Sequence, residues 1–453
     1  MGSSVDESRI IYPEIDSGKV NRLFSSLEYR NDDETSSVVA QHATGSVVGA
    51  AALVAGTTVG AGVLALPAAT ISTGFVPSTA ALLMAYVFMT MSGLLIAELT
   101  LNQIGRTGRP GLGLLDLYET SLGSGWAVVG TAAYFFLHYA MMVAYIAQGG
   151  TNVESFVGST VVPPQVLFAT LVGGALLGAK PAWVESVNNI MVLAVAASFL
   201  GIVGIGAPSA DWSALVNPQA QHPEAVISCF PILFLALVYQ NIVPTVVNNL
   251  EGDRTKVTQA IIGGTTAPLL MFLAWNAVCL GNAGGASNTE GLDPVALLQS
   301  GAAGGSTLLA PLVTTFSVLA LVTSLIGFTY GLVDAWTDVF GINQKSEAFK
   351  KYRPALFALT YLPPLGLSMT DPNIFFTALE YGGAFGVSTL FLVLPPLMVW
   401  KERYHAKDLP LITKPMVGWG KLPLSAMLTV AGALILEQAA EKSGVMEIVQ
   451  SAI

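Results

Sequence analysis

The sequence predicts an all-α integral membrane protein with eleven spanning helices, and three observations carry that prediction. Of its 453 residues only 11% are charged and 53% are hydrophobic, with a mean hydropathy of +0.64; an ordinary soluble domain carries about 25% charge. Apolar runs long enough to cross a ~30 Å hydrocarbon core recur from Gly45 almost to the C-terminus. The basic residues fall on alternate connections between those runs. This composition excludes a disordered chain, a nucleic-acid binder and a disulfide-stapled secreted domain. It also excludes a coiled coil, which needs charge beside its apolar seam.

The elements follow in order. Residues 1–44 form an acidic, polar tail in which Asp6, Glu7, Glu14, Asp16, Glu28, Asp32, Asp33 and Glu34 outnumber Arg9, Lys19, Arg22 and Arg30. With no long apolar run it reads as a flexible extension, not a secretory signal, and its acidity argues against an intact organellar transit peptide. Residues 45–453 form one transmembrane domain. Its apolar stretches lie at about 45–73, 76–104, 124–150, 164–180, 184–208, 225–250, 257–282, 306–340, 354–370, 373–400 and 422–441. Cys229 and Cys279 both fall inside apolar runs and give no metal-binding spacing, so neither a metal nor a cofactor is expected.

Placing the N-terminus on the cytoplasmic (or stromal) side puts eighteen of the nineteen Lys and Arg residues on that side, the four of the tail included. Only Lys442 falls outside. A miscounted span would scramble this asymmetry, and so would a soluble protein with buried helices.

Two stretches break the pattern of a simple spanning helix. The first contains Gly56, Gly60 and Gly62 around Thr57 and Thr58, followed by Pro67; the sixth has Pro231 and Pro244 bracketing Tyr239, Gln240 and Asn241. Glycine is a poor helix former and proline removes a backbone donor, so both segments are expected to unwind locally. The alternative for the first is close helix packing, since Gly56-x-x-x-Gly60 is also a small-xxx-small pattern. Unwound backbone at membrane depth survives where it lines a protein-buried or wet cavity. The two breaks open successive sets of five helices, so a repeat relating about 45–208 to about 225–400 must be inverted, with 422–441 as an extra helix. Interrupted helices at matching places in inverted halves point to a transporter's central site.

The residues also carry a resemblance. The string Gly56-Thr57-x-x-Gly60-Ala61-Gly62-x-x-x-Leu66-Pro67 resembles the first-helix signature of the tryptophan/tyrosine permeases, aromatic amino-acid transporters of the amino acid–polyamine–organocation superfamily. Glu98-x-x-Leu101-Asn102, Tyr139-Ala140-x-x-x-Ala144-Tyr145-Ile146-x-x-Gly149-Gly150, Ile242-x-Pro244 and Thr323-Ser324-x-x-Gly327 with Asp334 extend it from about 45 to 400. The resemblance implies a leucine-transporter-type fold with a 5+5 inverted repeat and proton-coupled import of tryptophan or tyrosine. The string LEGDRTKVTQAIIGGTTAPL is similar to plant and algal members, some assigned to plastids. A plastid envelope, plasma membrane or other internal membrane is therefore a compatible location. One departure is Gln240, where many bacterial members have a histidine; glutamine hydrogen-bonds but does not titrate near neutral pH.

The expected substrate-binding residues are Gly56, Thr57, Thr58, Gly60, Gly62, Tyr139, Tyr239, Gln240 and Asn241. Glu98, His138, Thr323, Ser324 and Glu380 are candidates for coupling or gating, because ionisable and hydroxyl groups inside a membrane are costly unless used. Each has a structural alternative: Glu98 pairing with Arg106, His138 packing, Glu380 hydrated, and the two hydroxyls packing between helices. Asp334 and Asp338, four residues apart, read as solvated or ion-paired charges at the inner interface. No G-x-x-x-x-G-K-[ST] loop occurs. The expected function is secondary active transport of an aromatic (tryptophan or tyrosine) or other neutral amino acid, coupled to protons, with sodium-coupled or exchange transport of another small amino acid as the alternative. A transporter-derived channel or sensor and a membrane enzyme are the rival classes.

Overall fold

The structure is a computed structural model describing residues 27–29, 38–40, 45–60, 62–108, 113–158, 161–283, 295, 298, 308–344, 346–371, 374–406 and 408–443. The expected N-terminal tail lies outside the described residues except for Leu27–Tyr29 and Val38–Ala40, which pair antiparallel. The helices are α1 (Val47–Thr58), α2 (Gly62–Ile71), α3 (Phe75–Thr107), α4 (Leu114–Leu122), α5 (Ser124–Val157), α6 (Pro164–Gly178), α7 (Pro181–Gly206) and α8 (Val226–Ala236). They continue as α9 (Val243–Asn249), α10 (Arg254–Ala283), α11 (Leu309–Val339), α12 (Glu347–Ser368), α13 (Ile374–Tyr381), α14 (Leu394–Tyr404) and α15 (Leu422–Lys442).

Eight helical segments among the described residues are long and apolar enough to span a membrane, or nine with the bent α1–α2 pair. Two of the eleven expected spans fall short of that test. Helix α6 is apolar but has 15 residues, about 22 Å of helix against a ~30 Å core. Helix α12 opens with Glu347, Lys350, Lys351 and Arg353. The sequence reading also lacked α4, a short helix between α3 and α5.

Both expected breaks are present. Helices α1 and α2 meet at 57°, and α8 and α9 are separated by a cap at Leu237 and a 3-10 turn over Gln240–Ile242. A third irregularity was not expected: the stretch Gly382–Val393 between α13 and α14 is π-helical.

Proline chemistry explains much of the side-chain bonding in this bundle. A proline leaves a carbonyl of the preceding turn without its donor, and an apolar bundle has no water to replace it. Pro67 frees the Val63 carbonyl, which accepts from the Trp275 indole N–H at 2.9 Å. Pro363 frees that of Leu359, which accepts from the Tyr139 hydroxyl at 2.8 Å. In the π register, Pro395 and Pro396 free Leu390 and Phe391; Tyr118 donates to the first at 3.1 Å and Ser92 to the second. Glycines permit the close approaches. A Cβ on Gly264 of α10 would lie 2.5 Å from the Val54 Cβ of α1, and one on Gly383 would lie 2.0 Å from the Pro231 carbonyl oxygen of α8.

At the C-terminal end of α3, polar side chains hold the irregular segment 410–417. Asn102 accepts from the Ile412 and Thr413 N–H groups at 2.9 and 3.0 Å, and Arg106 donates to the Pro410 carbonyl at 2.8 Å. Glu98 accepts from Arg403 Nε at 2.7 Å and from the Met416 N–H at 2.7 Å. Arg106 itself pairs with Glu402, not with Glu98.

Candidate functional site

A cavity of about 860 Å³ lies where the two breaks face each other. Helix α1 ends at Thr58 because Val59 turns to extended backbone, its N–H still bonded to the Ala55 carbonyl. No described backbone N–H reaches the carbonyls of Gly56, Thr57 or Thr58. The Thr57 and Thr58 hydroxyls donate back to Leu53 and Val54 in their own helix, so the exposed carbonyls present the negative end of α1 to the cavity. The N-terminus of α2 follows within four residues and presents the opposite polarity. Gly60 sits against α11: a Cβ there would lie 2.8 Å from Ser324 Oγ and 4.0 Å from Tyr145 Oη.

The α8–α9 break is held by its own polar side chains. Gln240 Oε1 accepts the Tyr239 N–H at 2.9 Å, while Gln240 Nε2 and the Tyr239 hydroxyl both donate to the Met89 carbonyl at 3.1 Å. Gly93 makes this fit, since a Cβ there would lie 2.0 Å from Tyr239 Oη. Gln240 is fully buried and does not line the cavity. Its neighbour Asn241 does, and its Oδ1 is buried with no hydrogen-bond partner; Asn188 Oδ1 of α7 is in the same condition on the same cavity. Two unpartnered amide oxygens in one cavity are acceptors waiting for a donor.

Of the expected substrate-binding residues, Gly56, Thr57, Thr58, Gly60, Gly62, Tyr239 and Asn241 line the cavity, and Gln240 and Tyr139 do not. Tyr139 points instead between α11 and α12, accepting from Trp336 Nε1 at 3.1 Å while it donates to Leu359. Among the coupling candidates His138, Thr323 and Ser324 line the cavity. Glu98 lies outside it, in the Arg403 pair, and Glu380 is a half-buried residue of α13 also outside it. His138 Nδ1 lies 2.8 Å from the Tyr134 carbonyl and its ring stacks on Tyr134 at 3.7 Å. Tyr145 and Phe328, edge to face at 5.5 Å, add aromatic lining.

Sequence reading missed Asn188, and it did not show that Asp334, which is exposed as a solvated charge would be, also lines the cavity. The signal for Asn188 was present, as two adjacent amides, Asn188 and Asn189, inside an apolar run.

A largely apolar cavity with a few polar groups between two interrupted helices, inside a chain built of membrane-length apolar helices, is the arrangement of a membrane transport protein. The chain belongs to the tryptophan/tyrosine permease family, whose model matches residues 43–436. It is 29% identical to the tyrosine-specific transport system 1 of Haemophilus influenzae over 86% of this chain and 95% of that protein. It is 27% identical to a tryptophan-specific transport protein of Pseudomonas aeruginosa, over 85% and 92%. The low affinity tryptophan permease of Escherichia coli K12 is 24% identical over 85% and 92%. The chain is therefore a multi-pass membrane permease and not an enzyme.

Proposed function

We propose that this protein is a secondary active transporter that carries tryptophan, tyrosine or a similar large neutral amino acid together with a proton. The observation that carries the reading is the convergence of both helix breaks on one cavity that holds two unpartnered amide oxygens. The substrate carboxylate is received by the N-terminus of α2, and its ammonium by the free carbonyls closing α1 with Asn241 and Asn188. Tyr145, Phe328 and Tyr239 flank the side chain. The substrates named for the relatives above support the aromatic class.

In this reading eleven spans form a 5+5 inverted repeat, about 45–208 and 225–400, plus the helix at 422–441. The N-terminus faces the cytoplasm or, in a plastid envelope, the stroma. The cavity runs from the breaks along α1 as far as Gly49 and along α11 as far as Asp334, which supports reading it as the inward-facing state of an alternating-access cycle. Sodium coupling is the second reading, favoured by the Thr323 and Ser324 hydroxyls on the same cavity. Uptake into proteoliposomes under separately imposed proton and sodium gradients tests both. Accumulation of tryptophan or tyrosine driven by the proton gradient is expected; accumulation driven by sodium alone selects the second reading, and no accumulation of any amino acid under either gradient contradicts both.

A further inference from the structure

The cavity has a second polar end that the substrate does not need. Asp334 lies ten residues beyond Ser324 on α11, about 15 Å along the helix from the break. Gly331, one turn earlier on the same face, leaves this end open: a Cβ there would lie 3.0 Å from Tyr134 Oη and 3.1 Å from His138 Nε2. Because His138 Nδ1 faces the Tyr134 carbonyl, that nitrogen carries the ring proton. When the ring is neutral, Nε2 is then an acceptor on the cavity wall. Asp334 accepts at Oδ1 from Gln344 Nε2 at 2.9 Å, and its other oxygen has no bonded partner among the described residues.

The groups around it are few. Helices α5, α7 and α12 pack on α11. From α5 come Tyr134 and His138. Helix α7 contributes the neutral amides Asn188 and Asn189, and its Glu185 is exposed. On α12, Arg353 lies beside Tyr330 and donates to the Leu176 carbonyl, Lys350 pairs with Glu347, Lys351 lies over Tyr352, and Tyr361 bonds Thr329. On α11 itself the neighbour is another acid, Asp338, which Asp116 of α4 also faces. No Lys or Arg among the described residues pairs with Asp334. Asp334 itself is exposed at this end of the cavity, and a carboxylate with another acid beside it and no cation among the described residues is stabilised by taking a proton or by water.

We propose that Asp334 carries the coupled proton, with His138 and Tyr134 as the polar groups that share its end of the cavity. One proton binds the carboxylate, neutralising it, and leaves again to water at this end; no bond in the substrate changes. The proposal rests on the transporter reading above and names the coupling residue in it.

The test compares two assays on one reconstituted protein: exchange of labelled tryptophan or tyrosine without a gradient, and accumulation under an imposed proton gradient with an internal pH dye. Asp334→Asn should cut gradient-driven accumulation at least about tenfold. It should also abolish substrate-evoked acidification and leave exchange within a few-fold but without its pH dependence. Asp334→Glu should remain coupled with a displaced pH midpoint. An Asn variant coupled like wild type overturns the proposal. If the Asn variant loses exchange as well, the Glu variant decides: a displaced midpoint supports the assignment and an undisplaced one overturns it. Wild-type failures are separate. Exchange without any proton response refutes proton coupling and this site while amino-acid transport stands, and absence of exchange refutes the transporter reading itself.

Discussion

Arg403→Met should be among the most destabilising single changes outside the cavity. The Arg403 and Glu98 side chains are 1% and 2% exposed, and Arg403 reaches both carboxylate oxygens, Nε to Oε1 at 2.7 Å and Nη2 to Oε2 at 2.5 Å. Removing the guanidinium leaves a buried carboxylate whose remaining partner here is the Met416 N–H. Breaking a buried pair from one side costs about 3–5 kcal/mol. Adding Glu98→Gln removes the stranded charge, and the amide oxygen still accepts from Met416. What then remains includes the Val417 carbonyl that Arg403 Nη1 had bonded at 3.2 Å, a cost of about 1–3 kcal/mol. The double variant should therefore melt higher than Arg403→Met alone, although it carries one more substitution. Loss of monodisperse protein on heating in detergent, at one fixed heating rate, measures the order. A double variant melting below the single, or Arg403→Met melting like wild type, refutes the reasoning. The same double variant should keep proton-driven uptake, because this pairing makes Glu98 an anchor for segment 410–417.

Three further changes probe the site. Gly60→Leu drives a side chain into Ser324, where even a Cβ is only 2.8 Å from the hydroxyl oxygen; uptake should vanish while membrane insertion persists, and normal uptake would sink the broken-helix site. Asn241→Leu removes an unpartnered buried oxygen, so melting should not fall, while half-saturation should rise roughly tenfold to hundredfold for a lost bond to a charged group. An unchanged half-saturation would remove Asn241 from the substrate contacts. Gln240→Leu strands the Tyr239 N–H that Gln240 caps, a loss of about 1–3 kcal/mol, visible as a lower melting temperature; unaltered melting would show that the break holds without this cap.

Much of this architecture was legible because glycine and proline act locally. Gly60 and Pro67 mark the first break, and Pro231 and Pro244 bracket the second, by backbone chemistry that needs no tertiary information. The π-helical stretch was not legible. Pro395 and Pro396 signal freed carbonyls, but the register depends on Ser92 and Tyr118 arriving from distant helices. For the same reason Tyr139 and Gln240 were misplaced. Both carry groups that suit a substrate, and in the fold those groups are engaged by Leu359 and Met89 backbone instead. Asp334 was read as a solvated charge by counting along α11, and it is exposed, but counting cannot show that it also lines the cavity beside Gly331. Glu98 and Asn102, four residues apart on α3, were visible as a motif, but segment 410–417, more than 300 residues away, gives them their partners.

The most direct measurement of the central claim is counterflow. Purified protein is reconstituted in liposomes loaded with unlabelled tryptophan or tyrosine, and labelled substrate is added outside with no ion gradient. Transient accumulation of label above equilibrium, abolished by Gly60→Leu, is the expected result. Wild-type protein that shows no such overshoot with tryptophan, tyrosine or any other neutral amino acid would contradict an alternating-access site at the paired helix breaks.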